Sequence, residues 1–127
     1  MRLHPALIVP LCAVLASCGG NSGSSSTTPS PSAAAIITIS SSGVVSPKSV
    51  TVPRGSQVQF VNNSPLAHQM VSDPHPEHTD CPELNQVGFL APGQSRVSGN
   101  LNTARTCGFH DHDLPSQTGL QGSIVIQ

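Results

Sequence analysis

The chain has 127 residues, with five Lys or Arg, six Asp or Glu and a formal net charge of −1 when His is neutral. Charges this sparse form no basic patch, which excludes the electrostatic surface of a nucleic-acid-binding protein. The absence of Trp and Tyr also excludes the usual platform for stacking bases. We therefore expect no nucleic-acid partner.

The N-terminus predicts export. Residues 1–17 begin with a positive charge at Arg2 and continue with the apolar run PALIVPLCAVLAS. A membrane-spanning helix needs roughly twenty apolar residues, so this shorter run behind a positive start predicts a signal peptide. The end of the run, Leu15-Ala16-Ser17-Cys18, resembles the bacterial lipoprotein box, in which cleavage precedes a lipidated cysteine. An ordinary signal peptide that happens to end near a cysteine is the alternative.

The lipoprotein resemblance implies a location. Cys18 would carry the lipid, and acyl chains would anchor the mature chain to the bacterial cell envelope. Gly19 stands where an Asp would retain a lipoprotein in the inner membrane, which implies the outer membrane facing the periplasm. Residues 18–35 are rich in Ser, Gly, Thr and Pro and predict a flexible tether. Residues 36–127 are left for one small domain.

The domain sequence predicts strands rather than helices. Apolar residues at the three-and-four spacing of a helix are missing over any three turns. Short β-branched runs are separated instead by Gly, Pro and Asn. We expect strands at 36–39, 50–52, 57–61, 67–72, 87–90, 95–101, 105–109 and 122–126. Six to eight short strands at this spacing predict an all-β sandwich or barrel.

The chemistry-bearing residues are concentrated in two segments, 68–83 and 107–113. All six acidic residues of the chain and all five His of the mature protein lie there, together with Cys81 and Cys107. This concentration predicts one site assembled from both segments. The four acidic residues of the first segment are expected to form a solvated negative rim: Asp73, Glu77, Asp80 and Glu83.

The order of four motifs resembles one family. VPRGSQVQFVNN at 52–63 precedes His68, and LAPGQS at 90–95, CGFH at 107–110 and LQGSIVI at 120–126 follow. Together they resemble the cupredoxins, the plastocyanin-like blue-copper proteins, which are Greek-key β-sandwiches. The resemblance implies a copper cofactor held by His68, Cys107 and His110.

The resemblance also implies a role. A monomeric electron-transfer protein without bond chemistry is expected, with a redox or copper-handling protein as partner. No Ser/His/Asp order or acid–base pair in the sequence supports an enzyme.

Departures from the family pattern leave further ligands open. Leu120 stands near the family's axial Met and cannot ligate, so His112 is a candidate replacement. Asp111 is a candidate acceptor that would orient a ligand imidazole. The secondary candidates for metal binding are Met70, His75 and His78.

Cys81 and Cys107 form an even pair in an oxidising compartment, which predicts a disulfide as the alternative to a Cys107 thiolate. If the two are joined, the site becomes all-imidazole, from His68, His110 and His112. Sequestration or delivery of copper, or of zinc, is then the alternative to electron transfer.

Overall fold

The computed structural model describes residues 33–127. The predicted signal peptide and residues 18–32 of the predicted tether lie outside the described residues. Nine strands form within the described range: β1 (Ala35–Ile39), β2 (Val45–Ser46), β3 (Ser49–Val52), β4 (Val58–Asn62), β5 (His68–Ser72), β6 (Gly88–Leu90), β7 (Ser95–Val97), β8 (Arg105–Asp111) and β9 (Gly122–Ile126). Two short 3₁₀ helices, Leu84–Gln86 and Thr118–Leu120, lie between them.

The strands form two sheets, in the orders β2-β1-β4-β7 and β3-β9-β8-β5-β6. The pairs β1–β4 and β3–β9 are parallel, and the remaining pairs are antiparallel. The predicted all-β sandwich is therefore confirmed. The sequence predicted one strand fewer because β2 has only two residues, too few to show an alternating pattern.

The core lies between the sheets. Phe60 of β4 meets Phe109 of β8 edge to face, with ring centroids 5.2 Å apart. Both rings are fully buried among the β-branched and aliphatic side chains of the two sheets. This packing supplies the burial that stabilises so small a domain. Within residues 33–127 no helix is both long and apolar enough to cross a membrane.

The neighbouring strands β5 and β8 determine where the candidate ligands lie. Their antiparallel register places Met70 opposite Asp111 and Val71 opposite His110. Side chains alternate along a strand, so Met70 and Asp111 face the core while Val71 and His110 face outward. Residues 73–87 are here called the covering loop. The loop first passes over this outer face with His75 and His78, which lie beside His110, and then enters the core at Cys81, Leu84 and Val87. Val71 and His110 are accordingly buried as well.

Candidate metal centre

His68 begins β5 on the core face and is held by a carboxylate. Its Nδ1 lies 2.6 Å from Asp111 Oδ2, and both side chains are at most 2% exposed. Asp111 Oδ1 also accepts hydrogen bonds from the backbone N–H groups of Asp113 and Gln69, at 3.0 and 3.3 Å. Asp111 thus contacts a predicted ligand imidazole, as expected, and His68 Nε2 is buried without a hydrogen-bond partner among the described residues.

Cys107 lies far from His68 along the sheet. The register of β5 and β8 brings position 113 opposite His68. Cys107 lies six residues further along, which is about 20 Å at about 3.3 Å per residue. Its sulfur is joined to Cys81 in a disulfide, with a Cα–Cα distance of 5.8 Å. The disulfide alternative is therefore correct. The assignment of Cys107 as a thiolate ligand is corrected, because a disulfide sulfur carries no thiolate.

The two sheet faces divide the remaining predicted ligands. His68 faces the core, whereas His110 and His112 share the outer face of β8 and its extension. One ion cannot bind imidazoles on both faces, because the sheet backbone lies between them. Met70 is fully buried on the core side, away from the outer histidines. The single site of His68, Cys107, His110 and His112 is not assembled.

The outer face holds a cluster of four histidines that joins both sequence segments. His75 and His78 come from the covering loop, and His110 and His112 from β8 and the residue after it. The ligating nitrogens of His75, His78 and His112 all lie within 4.8 Å of one another. The His110 ring centroid lies 5.1 Å from that of His78 and 5.5 Å from that of His75. We call these four residues the imidazole cluster.

Hydrogen bonds determine which ring nitrogens of the cluster carry lone pairs. His78 Nδ1 lies 2.8 Å from the Ser72 carbonyl oxygen, which can only accept, so Nδ1–H donates and Nε2 keeps its lone pair. His110 Nδ1 lies 2.5 Å from Asp73 Oδ1. His110 Nε2 is buried without a hydrogen-bond partner among the described residues. A carboxylate or carbonyl behind the imidazole is the arrangement typical of metal-ligating histidines.

The spacing within the cluster fits a metal ion. His78 Nε2 and His112 Nδ1 are 2.9 Å apart, a hydrogen bond in which His112 Nδ1–H donates to the lone pair of His78 Nε2, and a metal ion bound to both nitrogens would replace that proton. Two nitrogens at that spacing, each about 2.0–2.1 Å from an ion, subtend about 90° at it. Such an angle is that of neighbouring ligands in a square-planar or tetragonal Cu(II) site.

The electrostatics also favour ligation. His75 is exposed, while His78 and His112 are half-buried. The pKa of His75 lies below its ordinary value, because contact with the protein partly desolvates the ring. His112, His110 and His78 lower it further by disfavouring another positive charge, and Glu77 opposes them. The lowered pKa favours the neutral imidazole, which is the form that binds metals.

Backbone features hold His78 in place. Its φ of 55° is in the left-handed region that non-glycine residues seldom adopt. Asn85 donates from Nδ2 to the His78 carbonyl at 2.8 Å and accepts from the Ser72 N–H at Oδ1, also at 2.8 Å. Strained residues of this kind persist where the surrounding structure holds them and are frequent at functional sites.

Three positioning residues were not recognised from the sequence: Asp73, Asn85 and Gly108. Asp73 was expected in a solvated rim but binds His110, and Glu83 of the same rim forms an ion pair with Arg105 at 2.6 Å. Gly108 faces Asp73, and a Cβ at Gly108 would overlap its carboxylate. The clustering of acids beside histidines was the available signal for Asp73. The sequence shows no comparable signal for Asn85 or Gly108.

Two mixed β-sheets packed face to face, with histidines on adjacent strands at one end, are the architecture of a cupredoxin. The chain belongs to the cupredoxin family. It is 35% identical over 88 residues to plastocyanin from Scenedesmus fuscus, an alignment that covers 66% of this chain and 87% of that protein. No family model matches the sequence.

Solved cupredoxin structures share the fold. The purple cupredoxin from Nitrosopumilus maritimus superposes with a TM-score of 0.57 at 16% identity, covering 73% of this chain and 99% of that one. Oxidised plastocyanin from Dryopteris crassirhizoma gives 0.55 at 20% identity, covering 72% and 99%. The predicted fold class and family resemblance are therefore confirmed.

Proposed function

We propose that this protein binds copper through the imidazole cluster on the outer face of β5 and β8. The main observation behind this proposal is that the ligating nitrogens of His75, His78 and His112 lie within 4.8 Å of one another. Membership of the cupredoxin family supports copper as the metal, and a variant of amicyanin among the similar structures was solved in its Cu(I) form. Imidazole ligands suit copper and also zinc.

The core-face position fits copper poorly. His68 Nε2 is without a partner among the described residues, but Leu120 offers no ligand atom and Cys107 is joined in the disulfide, so too few ligands accompany His68 on this face. Within residues 33–127, His75, His78 and His112 of the outer cluster are the one group of three or more His, Cys, Asp or Glu side chains that converge as metal ligands would. The residues of this chain therefore support an imidazole site without thiolate.

Family membership favours electron transfer as the role of the bound copper. Copper supplies a one-electron redox cycle when it is bound. The chain's own contribution is to hold the ligating nitrogens fixed: Asp73 orients His110, and the Ser72 carbonyl orients His78. Burial of His110 excludes water from one side of the cluster. A rigid ligand set of this kind changes little when the charge of the ion changes.

Copper or zinc sequestration and delivery is the second candidate, and the all-imidazole ligand set with its exposed His75 is compatible with it. Voltammetry distinguishes the two roles. A reversible wave from protein that retains its copper in both oxidation states supports electron transfer. Loss of copper on reduction, with transfer of the metal to a competing chelator, supports delivery.

We propose that the protein acts at the bacterial cell envelope, anchored through Cys18 to the outer membrane facing the periplasm. The lipoprotein-like sequence Leu15-Ala16-Ser17-Cys18 supports this location. A redox or copper-handling protein would be its partner, and a monomer is the expected state. Replacement of Cys18 by Ser should move the protein from the membrane fraction to the soluble periplasmic fraction. An unchanged distribution would contradict lipid anchoring.

Addition of Cu(II) to the purified oxidised protein is expected to give one tightly bound ion and only weak visible absorption. The physical reason is that imidazole ligands lack the thiolate-to-copper charge transfer of a Cys107 site. Titration followed by visible absorption and electron paramagnetic resonance measures the number of bound ions and the strength of the absorption. An intense thiolate band would contradict the disulfide and return Cys107 to the ligand set, and no binding would contradict the proposed function.

Gly108→Ala is expected to weaken copper binding about tenfold, because the added Cβ displaces the Asp73 carboxylate from His110. Loss of such an orienting partner typically costs metal sites 10–100-fold in affinity. Thr106→Ala, exposed on the same strand and the same face, is the matched control. Competition against a chromophoric chelator gives the copper dissociation constants of the two variants. Equal affinities of the two variants would show that Asp73 does not orient a ligand.

A further inference from the structure

The disulfide joins the two halves of the imidazole cluster. Cys81 follows His78 by three residues on the covering loop, and Cys107 precedes His110 by three residues on β8. Both cysteines are fully buried with the core side chains of the domain. His75 and His78 therefore reach the cluster on one side of this bond, and His110 and His112 on the other.

Noncovalent contacts also hold the loop: Asp73 hydrogen-bonds to Gly108 and His110 of β8, and Leu84 and Val87 are buried in the core. The segment that carries His75 and His78 lies between Asp73 and Cys81, so the disulfide is the anchor at its C-terminal end. Glu83 and Arg105 form an ion pair that is about 30% exposed on each side, and exposed pairs of this kind contribute little. Asn85 ties the loop to itself and to Ser72 of β5, not to β8. Cys81–Cys107 is the covalent link between the covering loop and β8, and it closes a segment with a sequence separation of 26.

We propose that the Cys81–Cys107 disulfide is the positioning element of the metal site, so that the chain acquires its metal ion only after the disulfide has formed. The proposal rests on the proposed function. Without the bond, ordering the covering loop over β8 would have to be achieved at the expense of metal-binding free energy. Of the three imidazoles whose nitrogens converge, only His112 would remain in place, with His110 beside it on β8.

The redox step that completes the site is a thiol–disulfide exchange. The Cys81 and Cys107 thiols lose two protons and two electrons as their S–S bond forms. An external disulfide, such as that of an oxidising dithiol protein, accepts them and becomes a dithiol. A chain still reduced before export would therefore hold metal weakly, and oxidation outside the cytoplasm would switch the site on.

The affinity test uses Zn(II), which has no redox chemistry and so does not react with thiols as an oxidant. The mature full-length protein is compared with Cys81→Ala/Cys107→Ala and with Glu83→Gln, which removes only the ion pair between the loop and β8. We expect the double variant to bind zinc at least tenfold more weakly, as is typical when a metal site loses the group that orients its ligands. Glu83→Gln should bind zinc within about twofold of wild type, because a partly exposed ion pair contributes little.

Imidazole NMR separates positioning from general stability. In the double variant, the resonances of His68 should stay at their native positions because the sandwich is intact, while those of His75 and His78 move to random-coil values. Native positions for all three, with unchanged zinc affinity, would overturn the proposal.

Reduction of the wild-type protein provides a second measurement that does not depend on the variant's folding. Zinc-loaded protein is treated with a phosphine reductant beside a chromophoric chelator, and thiols are counted by alkylation. Release of zinc in step with disulfide reduction, at a temperature where the sandwich persists, supports the proposal. Zinc retained by protein whose two thiols have been reduced and then alkylated, so that they cannot bind zinc themselves, overturns it. Oxidised protein that binds neither zinc nor copper overturns the proposed function and this inference together.

Discussion

His112→Ala is expected to weaken Cu(II) binding by at least about a hundredfold, beyond the 10–100-fold typical of losing a mere orienting partner. His112 Nδ1 lies 2.9 Å from His78 Nε2, and this pair defines the closest edge of the cluster. Its loss removes one of the three imidazoles whose nitrogens converge and breaks the contact between His78 of the covering loop and the residue after β8. Competition titration with a chelator of known affinity measures the constant.

Two further variants make this result specific to the outer face. Gln69 lies opposite His112, and the His112 backbone N–H donates to the Gln69 carbonyl. The Gln69→Ala variant keeps this backbone contact and should bind copper like wild type. His68→Gln removes the imidazole on the core face and should also leave the affinity within about threefold, since no shared ion links the two faces. Strong loss in His68→Gln, with little loss in His112→Ala, would place the metal on the core side instead.

The fold was largely predictable from local patterns. The runs at 57–61 and 122–126 alternate or are continuously β-branched and lie within one residue of β4 and β9. Turn residues between such runs limit the possible elements to short strands, and the family motifs follow the same order. The pairing of distant strands, such as β1 beside β4, depends on long-range packing that local patterns do not encode.

The candidate site was predictable only in part, because the number of residues between two motif positions does not show where a strand ends. The CGFH motif brings Cys107 and His110 close in sequence, but both lie inside β8, on opposite faces of it. His110 and His112 alternate as expected for one face. His75 and His78 lie in a loop with no periodic pattern, so their approach to that face depends on the fold of the covering loop.

The sheet therefore acts as a partition between two sets of imidazoles. On the core side, His68 has a carboxylate partner and no further ligand. On the outer side, four imidazoles face one another beneath the covering loop, two of them with hydrogen bonds that direct their lone pairs. The side chains of this chain therefore favour the outer face as the proposed metal position.

Asp111→Ala is expected to lower the free energy of unfolding by about 3 kcal/mol or more, as for breaking a buried pair. The change leaves His68 Nδ1 without its partner in a site about 2% exposed. It also leaves the backbone N–H groups of Gln69 and Asp113 without the acceptor that Asp111 Oδ1 provides. For a domain of this size, the melting temperature should fall by about 12 °C or more.

A double-mutant cycle separates the pair from the other roles of Asp111. In a His68→Leu background there is no buried imidazole to be left unpaired, so Asp111→Ala should cost about 1–3 kcal/mol less than in wild type. Calorimetry or urea unfolding of the four proteins gives the coupling energy. Equal costs in the two backgrounds would show that Asp111 acts only through the backbone N–H groups. A measurable coupling would mean that the carboxylate stabilises His68 in the core.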